Sequence, residues 1–250
     1  MIFDFDVLTK KQVGCVAGHS FTWEIVSLFL NFHIDDGTIF SSCDQIHDKV
    51  AFAIHQGIFH GKNFNNYFGR IYQVRYLSGI VAGMNTKSDK VGYVAAQDSS
   101  NSEVTGGIDA FAIGVAAVNP EAKIYVAVTN SWDDPDKEKA ASEQLLDMGC
   151  DVIAQHCDTV YPQTLAQEKG VYSIGYNSDM SKDAPQSCLC SVVWNWSAYY
   201  TAAVQSVIDG SWDGSNYYGG MNENLVSITD LADFCAEGTK EKIEEAKKQI

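Results

Sequence analysis

Between Val91 and Gly175 the chain repeats one pattern three times: an apolar strand, a polar turn and an amphipathic helix. The strand VGYVAA (Val91–Ala96) runs into QDSSNSEV. The spacing of Val104, Ile108, Phe111, Val115 and Val118 then predicts a helix over Glu103–Val118 with one apolar face. The strand KIYVAV (Lys123–Val128) runs into TNSWDD, where Asp134 suits a helix cap, Pro135 the first helical position and Gly149 the end. DVIAQ (Asp151–Gln155) ends in His156, Cys157 and Asp158; a short helix follows over Pro162–Glu168, and VYSIGY (Val171–Tyr176) ends in Asn177 and Asp179. Strands and helices alternating at this pitch build a parallel sheet, and ligands of open parallel sheets sit outside the carboxyl ends of the strands. Here those ends carry Gln97, Glu103, Trp132, Asp158 and Asp179.

Charge narrows the partners. The net charge is −15, from 32 acidic and 17 basic residues, and no basic stripe interrupts it. A phosphate backbone has no electrostatic footprint to dock on, so nucleic acid is not an expected partner. With 46% hydrophobic residues in 250, one large core or two modest ones are within reach. The C-terminal run KEKIEEAKKQI mixes both signs, with Ile243 and Ala246 on one side, and reads as a solvated helix covering the sheet.

Seven cysteines without a Cys-x-x-Cys pattern read as free, mostly buried thiols; Cys188 and Cys190, two apart on a strand, share a face without bridging geometry. The opening MIFDFDVLTKKQ has no basic segment leading into an apolar one, and the longest apolar stretch, Ile25–Phe32, is too short to span a bilayer. Neither a signal peptide nor a transmembrane segment is therefore expected in this sequence. Cys15 in QVGC lacks the apolar lead that a lipid-attachment cysteine follows.

Several ordered segments carry a resemblance: HQGIFHGKNFNNYFGRIYQVRYLSGIVAG, TKSDKVGYVAA, AFAIGVAAVNP, TNSWDDPDKEKAASEQLLDMGCDVIAQHCD, GVYSIGYNSDM and SVVWNWSAYY. From about His55 onward the chain resembles the basic membrane protein (Med/PnrA-like) family, the substrate-binding proteins of ABC importers. The resemblance implies an α/β, periplasmic-binding-protein type I-like fold of two lobes with parallel sheets. It also implies a purine nucleoside or nucleobase ligand, no catalysis and no cofactor. The partners implied are an ABC permease and its ATPase, with the protein a lipoprotein on the extracytoplasmic face of the plasma membrane. The lobes divide as 51–88 with 194–218 for the first, and 89–193 with 219–250 for the second. Residues 1–50 read as an atypical remnant of the first lobe. Met1–Asn31 do not align with the family, and DDGTIFSSCDQIHDKVAFAIHQG resembles one of its βα steps with the helix shortened. The first lobe is thus expected to be incomplete, either as a partial copy or as a chain whose start lies upstream.

A purine site needs aromatic faces for the ring and fixed polar groups for its edge. Tyr67, Trp132, Trp194 and Trp196 supply the faces. Trp132, in a loop between a strand and a capped helix, is the first choice. Trp194 and Trp196 bracket Asn195 and would share one face of a continuing strand, one of them in the core; Trp194 is the choice for the ligand, with Asn195 beside it. For Asp179 two roles fit, an acceptor for sugar hydroxyls or a solvated turn aspartate. Asp158 suits an acceptor for a base N–H or a cap for the following loop. Glu103 suits a ligand contact or a helix-start acid favoured by the dipole; Ser102 stands before it where the family has proline.

Other chemistries lack their residues. Asp4 and Asp6 in IFDFDVL partly resemble a phosphoryl-transfer Asp-x-Asp, but Val7 and Leu8 stand where Gly-Thr is needed. His55 and His60 lack further zinc ligands at recognisable spacing. His156 and Cys157, adjacent at a strand end, point to opposite faces and cannot readily form a thiolate pair. QDSSNSEVTGG is neither G-x-G-x-x-G nor a Walker loop, so an uncharged nucleoside is expected rather than a nucleotide. The alternative to a transport protein is a vestigial or interaction-only α/β domain without a small-molecule ligand.

Overall fold

The strand–helix steps read from the sequence form in the computed structural model, which describes residues 28–30, 52–55 and 63–250. The expectations for Asp4, Asp6, Cys15 and His60, and for most of residues 1–50, lie outside the described residues. The chain divides into two compact units, one of residues 1–68 with 199–218 and one of residues 69–198 with 219–250.

The second unit holds a six-stranded sheet. Its strands are β4 (Lys90–Ala95), β5 (Lys123–Val128), β6 (Val152–His156), β7 (Tyr172–Asn177), β8 (Cys188–Trp194) and β10 (Val226–Ile228), in the order β10-β8-β7-β6-β4-β5. All neighbours are parallel except β10, which runs antiparallel to β8. β6 is buried along its whole length, because helices cover both faces of the sheet there. β5, at the edge, leaves Val126 and Val128 exposed. This is the burial gradient of a parallel sheet, whose central strands read as continuous apolar runs.

The helices stop and start for local reasons. α2 (Ser102–Val118) is capped by Asn101, whose side chain accepts from the backbone N–H of Glu103 at 3.0 Å and of Val104 at 3.1 Å. That cap directly precedes Ser102, the position at which the family has proline. α3 (Pro135–Asp147) has Pro135 in its first turn and Asp134 accepting from the N–H of Lys137 at 3.1 Å, as read from the sequence. Gly149, just beyond, adopts φ +85°, which favours glycine. Asp134→Ala is expected to cost about 1 kcal/mol of stability, measured by urea unfolding; an unchanged midpoint would show that the Pro135 start suffices alone. α4 (Tyr161–Glu168) and α6 (Thr239–Lys247) complete this unit's helices with α1 (Ile71–Asn85). α6 buries Ile243 and Ala246 in the core and exposes its charges, as its pattern predicts.

α1 and α2 cross at backbone contact. A Cβ on Gly79 would lie 2.1 Å from the Phe111 carbonyl oxygen, and one on Gly114 would lie 2.1 Å from that of Tyr76. Side chains at these positions would hold the helices apart and open the core made by Leu77, Ile80, Val81, Phe111 and Val115. Each of those fully buried aliphatic or aromatic residues contributes on the order of 1.5–3 kcal/mol.

The first unit carries a four-stranded sheet in the order β1 (Leu28–Leu30), β2 (Phe52–His55), β3 (Phe64–Gly69) and β9 (Tyr217–Gly219). β1, β2 and β3 pair in parallel. α5 (Trp196–Ile208) starts in the second unit and continues into the first. The cysteines among the described residues, Cys150, Cys157, Cys188, Cys190 and Cys235, are free, and all but Cys235 are buried.

Candidate functional site

At the carboxyl ends of the second unit's parallel strands, side chains from separate elements join in one hydrogen-bonded chain. Trp194, the last residue of β8, donates its indole Nε1–H to the Tyr176 hydroxyl at 3.1 Å. Tyr176, near the end of β7, donates in turn to Glu103 Oε1 at 2.9 Å. His156, the last residue of β6, places Nε2 at 3.4 Å from the same oxygen, and its Nδ1 lies 3.0 Å from the Tyr93 hydroxyl on β4. Glu103 reaches this point from the first turn of α2, where the helix dipole favours an anion. Its side chain is only 7% exposed.

A cation lies beneath. Arg75, fully buried on α1, sits 4.4 Å from the centroid of the Tyr176 ring and 5.5 Å from that of Tyr93. Its Nη1 donates to the Gln155 carbonyl at 2.7 Å, while Nε and Nη2 have no hydrogen-bond partner among the described residues. The ring of Tyr176 thus stands between a guanidinium on its face and a carboxylate on its hydroxyl. Cation–π attraction gains strength when the pair is shielded from water, as it is here.

The protonation states follow from burial and these charges. Burial, and then Arg75, pull His156 down to about 4 against the opposing pull of Glu103. At neutral pH the His156–Glu103 contact is therefore a hydrogen bond from a neutral ring rather than an ion pair. Tyr176 is pushed well above its ordinary range by burial and the Glu103 charge, and burial takes Tyr93 to about 12. Asp158 is raised to about 6, by burial first and then by the charges of Glu103 and Asp133.

Of the residues singled out from the sequence, Glu103, Trp132, Asp158 and Trp194 lie around this chain. The Trp132 ring meets the His156 ring edge-on, centroids 5.8 Å apart, and its carbonyl accepts from the Asp158 N–H at 2.8 Å. Asp158 accepts from Asn177 Nδ2 at 3.3 Å. Trp194 stacks on Trp196 with centroids 4.5 Å apart and planes at 12°. This corrects the expectation of two tryptophans sharing one face of a continuing strand. β8 stops at Trp194, where its pairing with β10 runs out, the Asn195 N–H turns to the Leu225 carbonyl, and Trp196 opens α5.

The remaining candidates have local partners. Asp179 is exposed and accepts from the Ser181 N–H at 3.0 Å, a turn contact. Asn195 donates to the Asn224 carbonyl at 3.0 Å and accepts from the Ser197 hydroxyl at 2.5 Å. Tyr67 belongs to the first unit, where it is buried, stacks on Tyr199 with centroids 4.4 Å apart and lies 3.2 Å from the Tyr200 hydroxyl. Sequence reasoning weighed His156 only against Cys157 and passed over Tyr176, Tyr93 and Arg75. Strand-end position was the available signal for His156 and Tyr176. His156 does face away from Cys157, whose thiol lies instead near Thr129 and the Ser131 carbonyl.

The family model described as ABC transporter substrate-binding protein PnrA-like, Bmp, matches residues 29–250. The chain belongs to this family. A putative ABC transporter glucose-binding protein of Haloferax volcanii is 35% identical over 189 residues, 76% of this chain and 48% of that protein. A purine-binding protein of Brucella abortus is 35% identical over 188 residues, 75% of this chain and 53% of that protein. The chain thus spans about half the length of these curated relatives. Among solved structures, a transcriptional activator of the comK gene from Bacillus halodurans superposes with a TM-score of 0.75 at 23% identity, covering 83% of this chain and 72% of that one. That likeness concerns the fold, which is the periplasmic-binding-protein type I-like α/β class. Among the described residues no helix is long and apolar enough to cross a membrane.

Proposed function

We propose that this Bmp-family chain binds a purine nucleoside or nucleobase at the strand-end network of its second unit and delivers it to an ABC permease and its ATPase. The observation that carries the ligand class is the linking of an indole, through Tyr176, to a carboxylate held ready as an acceptor. Purines need that combination of a flat apolar face and an edge acceptor. The Brucella abortus relative, named purine-binding, supports the same choice. The chain carries no catalytic role in this reading, and works on the extracytoplasmic side of the plasma membrane, where a lipid anchor would hold it.

The Haloferax volcanii relative, named as a putative glucose-binding protein, defines the competing ligand, since a sugar also stacks on indole and donates to carboxylates. Thermal shift of the full chain with adenine, adenosine, guanosine, inosine and D-glucose separates the two, because a ligand bound only by the native state raises Tm. A shift with glucose alone would replace the purine reading.

Asp158 adds a pH signature. With its carboxyl at about 6, an ionised acceptor is available at pH 7.5 and mostly lost at pH 5. Adenosine affinity is expected to fall by up to about tenfold between those values, and the fall should vanish in Asp158→Asn. Calorimetry at the two pH values checks this; a wild-type affinity independent of pH would remove Asp158 from the ligand contacts.

A further inference from the structure

His156 is fully buried in the network, as Tyr93 and Arg75 are, and three observations define its surroundings. The first is directional. Tyr176 donates to Glu103 and Trp194 donates to Tyr176, so the tyrosine hydroxyl has spent its proton towards the carboxylate. A carboxylate accepts only, so the ring nitrogen facing it must carry a hydrogen, while the Tyr93 hydroxyl is placed to donate to the other nitrogen. The second is spatial. A Cβ on Gly107 of α2 would come within 2.8 Å of both Cε1 and Nδ1 of His156 and 3.3 Å of the Tyr93 hydroxyl. Only glycine leaves the imidazole room at this distance from the helix. The third is electrostatic. The Arg75 guanidinium packs against the rings of Tyr93 and Tyr176, the two neighbours of His156 on β4 and β7, and disfavours a second cation among them.

We propose that His156 is a positioning residue for ligand binding: carrying its single proton on Nε2 and receiving one from Tyr93 at Nδ1, it aims the Glu103 carboxylate at a ligand N–H or O–H. The proposal rests on the binding reading given above and adds its polarity. Every proton in the chain is directed inward to Glu103, from His156 on one side and from Tyr176 on the other. Glu103 stays an acceptor, and the ligand group that meets it is a donor and never a phosphate or carboxylate. The groups facing His156 are Tyr93 from β4, Glu103 from α2, Tyr176 from β7, and Trp132 from the loop after β5. Glu103 is the acid among them, the charge that raises Tyr176 and Asp158, and a neutral ring sets no opposing charge against it.

The test uses the full chain with 15N-labelled histidine and adenosine as the probe. Without ligand at pH 7, the His156 ring is expected to show a protonated Nε2 and a bare Nδ1. In calorimetry, His156→Leu should weaken adenosine binding by about tenfold or more, since it removes the Nε2–H that aims the Glu103 carboxylate and takes the acceptor from the buried Tyr93 hydroxyl. Gly107→Ala, which changes no polar group, should weaken it comparably by displacing the ring. His156→Gln, whose amide N–H stands in for Nε2–H, should bind within about threefold of wild type. A protonated Nδ1 with bare Nε2, or a doubly protonated ring at pH 7, overturns the proposal. So do His156→Leu and Gly107→Ala chains that are folded and bind as wild type does. A wild-type chain that binds no purine overturns the purine reading instead; the ligand-free spectrum still decides the proton assignment, and D-glucose replaces adenosine in the affinity comparison.

Discussion

Acidification from pH 7.5 to pH 4 is expected to remove about 3 kcal/mol of stability through His156 alone. Its folded value of about 4 lies below the ordinary histidine value of about 6.5, so between the two the unfolded chain binds the proton that the folded chain refuses. The contribution is complete above about 6.5 and disappears as pH falls through about 4. Asp158 acts with the opposite sign. Its folded value of about 6 is raised, so the folded chain binds the proton more readily and gains stability as pH drops from about 6 towards 4. The two groups partly offset each other in wild type, and substitution separates them. Urea unfolding of wild type and His156→Gln at pH 7.5, 5 and 4 should show the difference between the chains shrinking towards acid. A difference constant over that range would mean that His156 is not held neutral, and the account of the buried network would fall with it.

Trp132→Ala is expected to lower purine affinity by about 1–3 kcal/mol, the worth of stacking one base on an aromatic face. Asp158→Asn should cost less at pH 7.5, because the amide oxygen still accepts a hydrogen bond although the charge is gone. Calorimetry on both variants, with circular dichroism to check folding, compares the two contributions directly. Trp132 also packs on the apolar clusters beneath it and on the edge of His156, so Trp132→Phe belongs in the same series to separate lost packing from lost stacking. Equal small effects of Trp132→Ala and Asp158→Asn would move the purine away from this network.

The local architecture of the second unit was readable from the chain itself. Periodicity marked β4 to β7 and their helices, because a core-facing strand or helix face must be apolar at its own repeat. Asp134, Pro135 and Gly149 bounded α3 because cap chemistry and glycine's freedom at φ +85° act within a few residues. Strand-end logic picked out Glu103, Trp132 and Asp158 along with Gln97 and Asp179, since a residue's place near the end of its own strand is a local property, and Trp194 was chosen as an aromatic face.

What the tertiary structure alone decided is which of those ends converge and in which direction each proton points. Glu103, His156 and Tyr176 are separated by 53 and 73 positions in the pairs that bond, and no repeat in the chain encodes such a pairing. Arg75 lies beneath the tyrosines because α1 and α2 cross at Gly79 and Gly114, a contact set by missing side chains rather than by present ones. Trp196 left the strand because β10 ends opposite Trp194, which depends on pairing with a distant segment. A chain specifies its local elements through short-range sterics and apolar periodicity. The polarity of its buried network arises only once packing has excluded water, when each remaining polar atom must find its partner in another element.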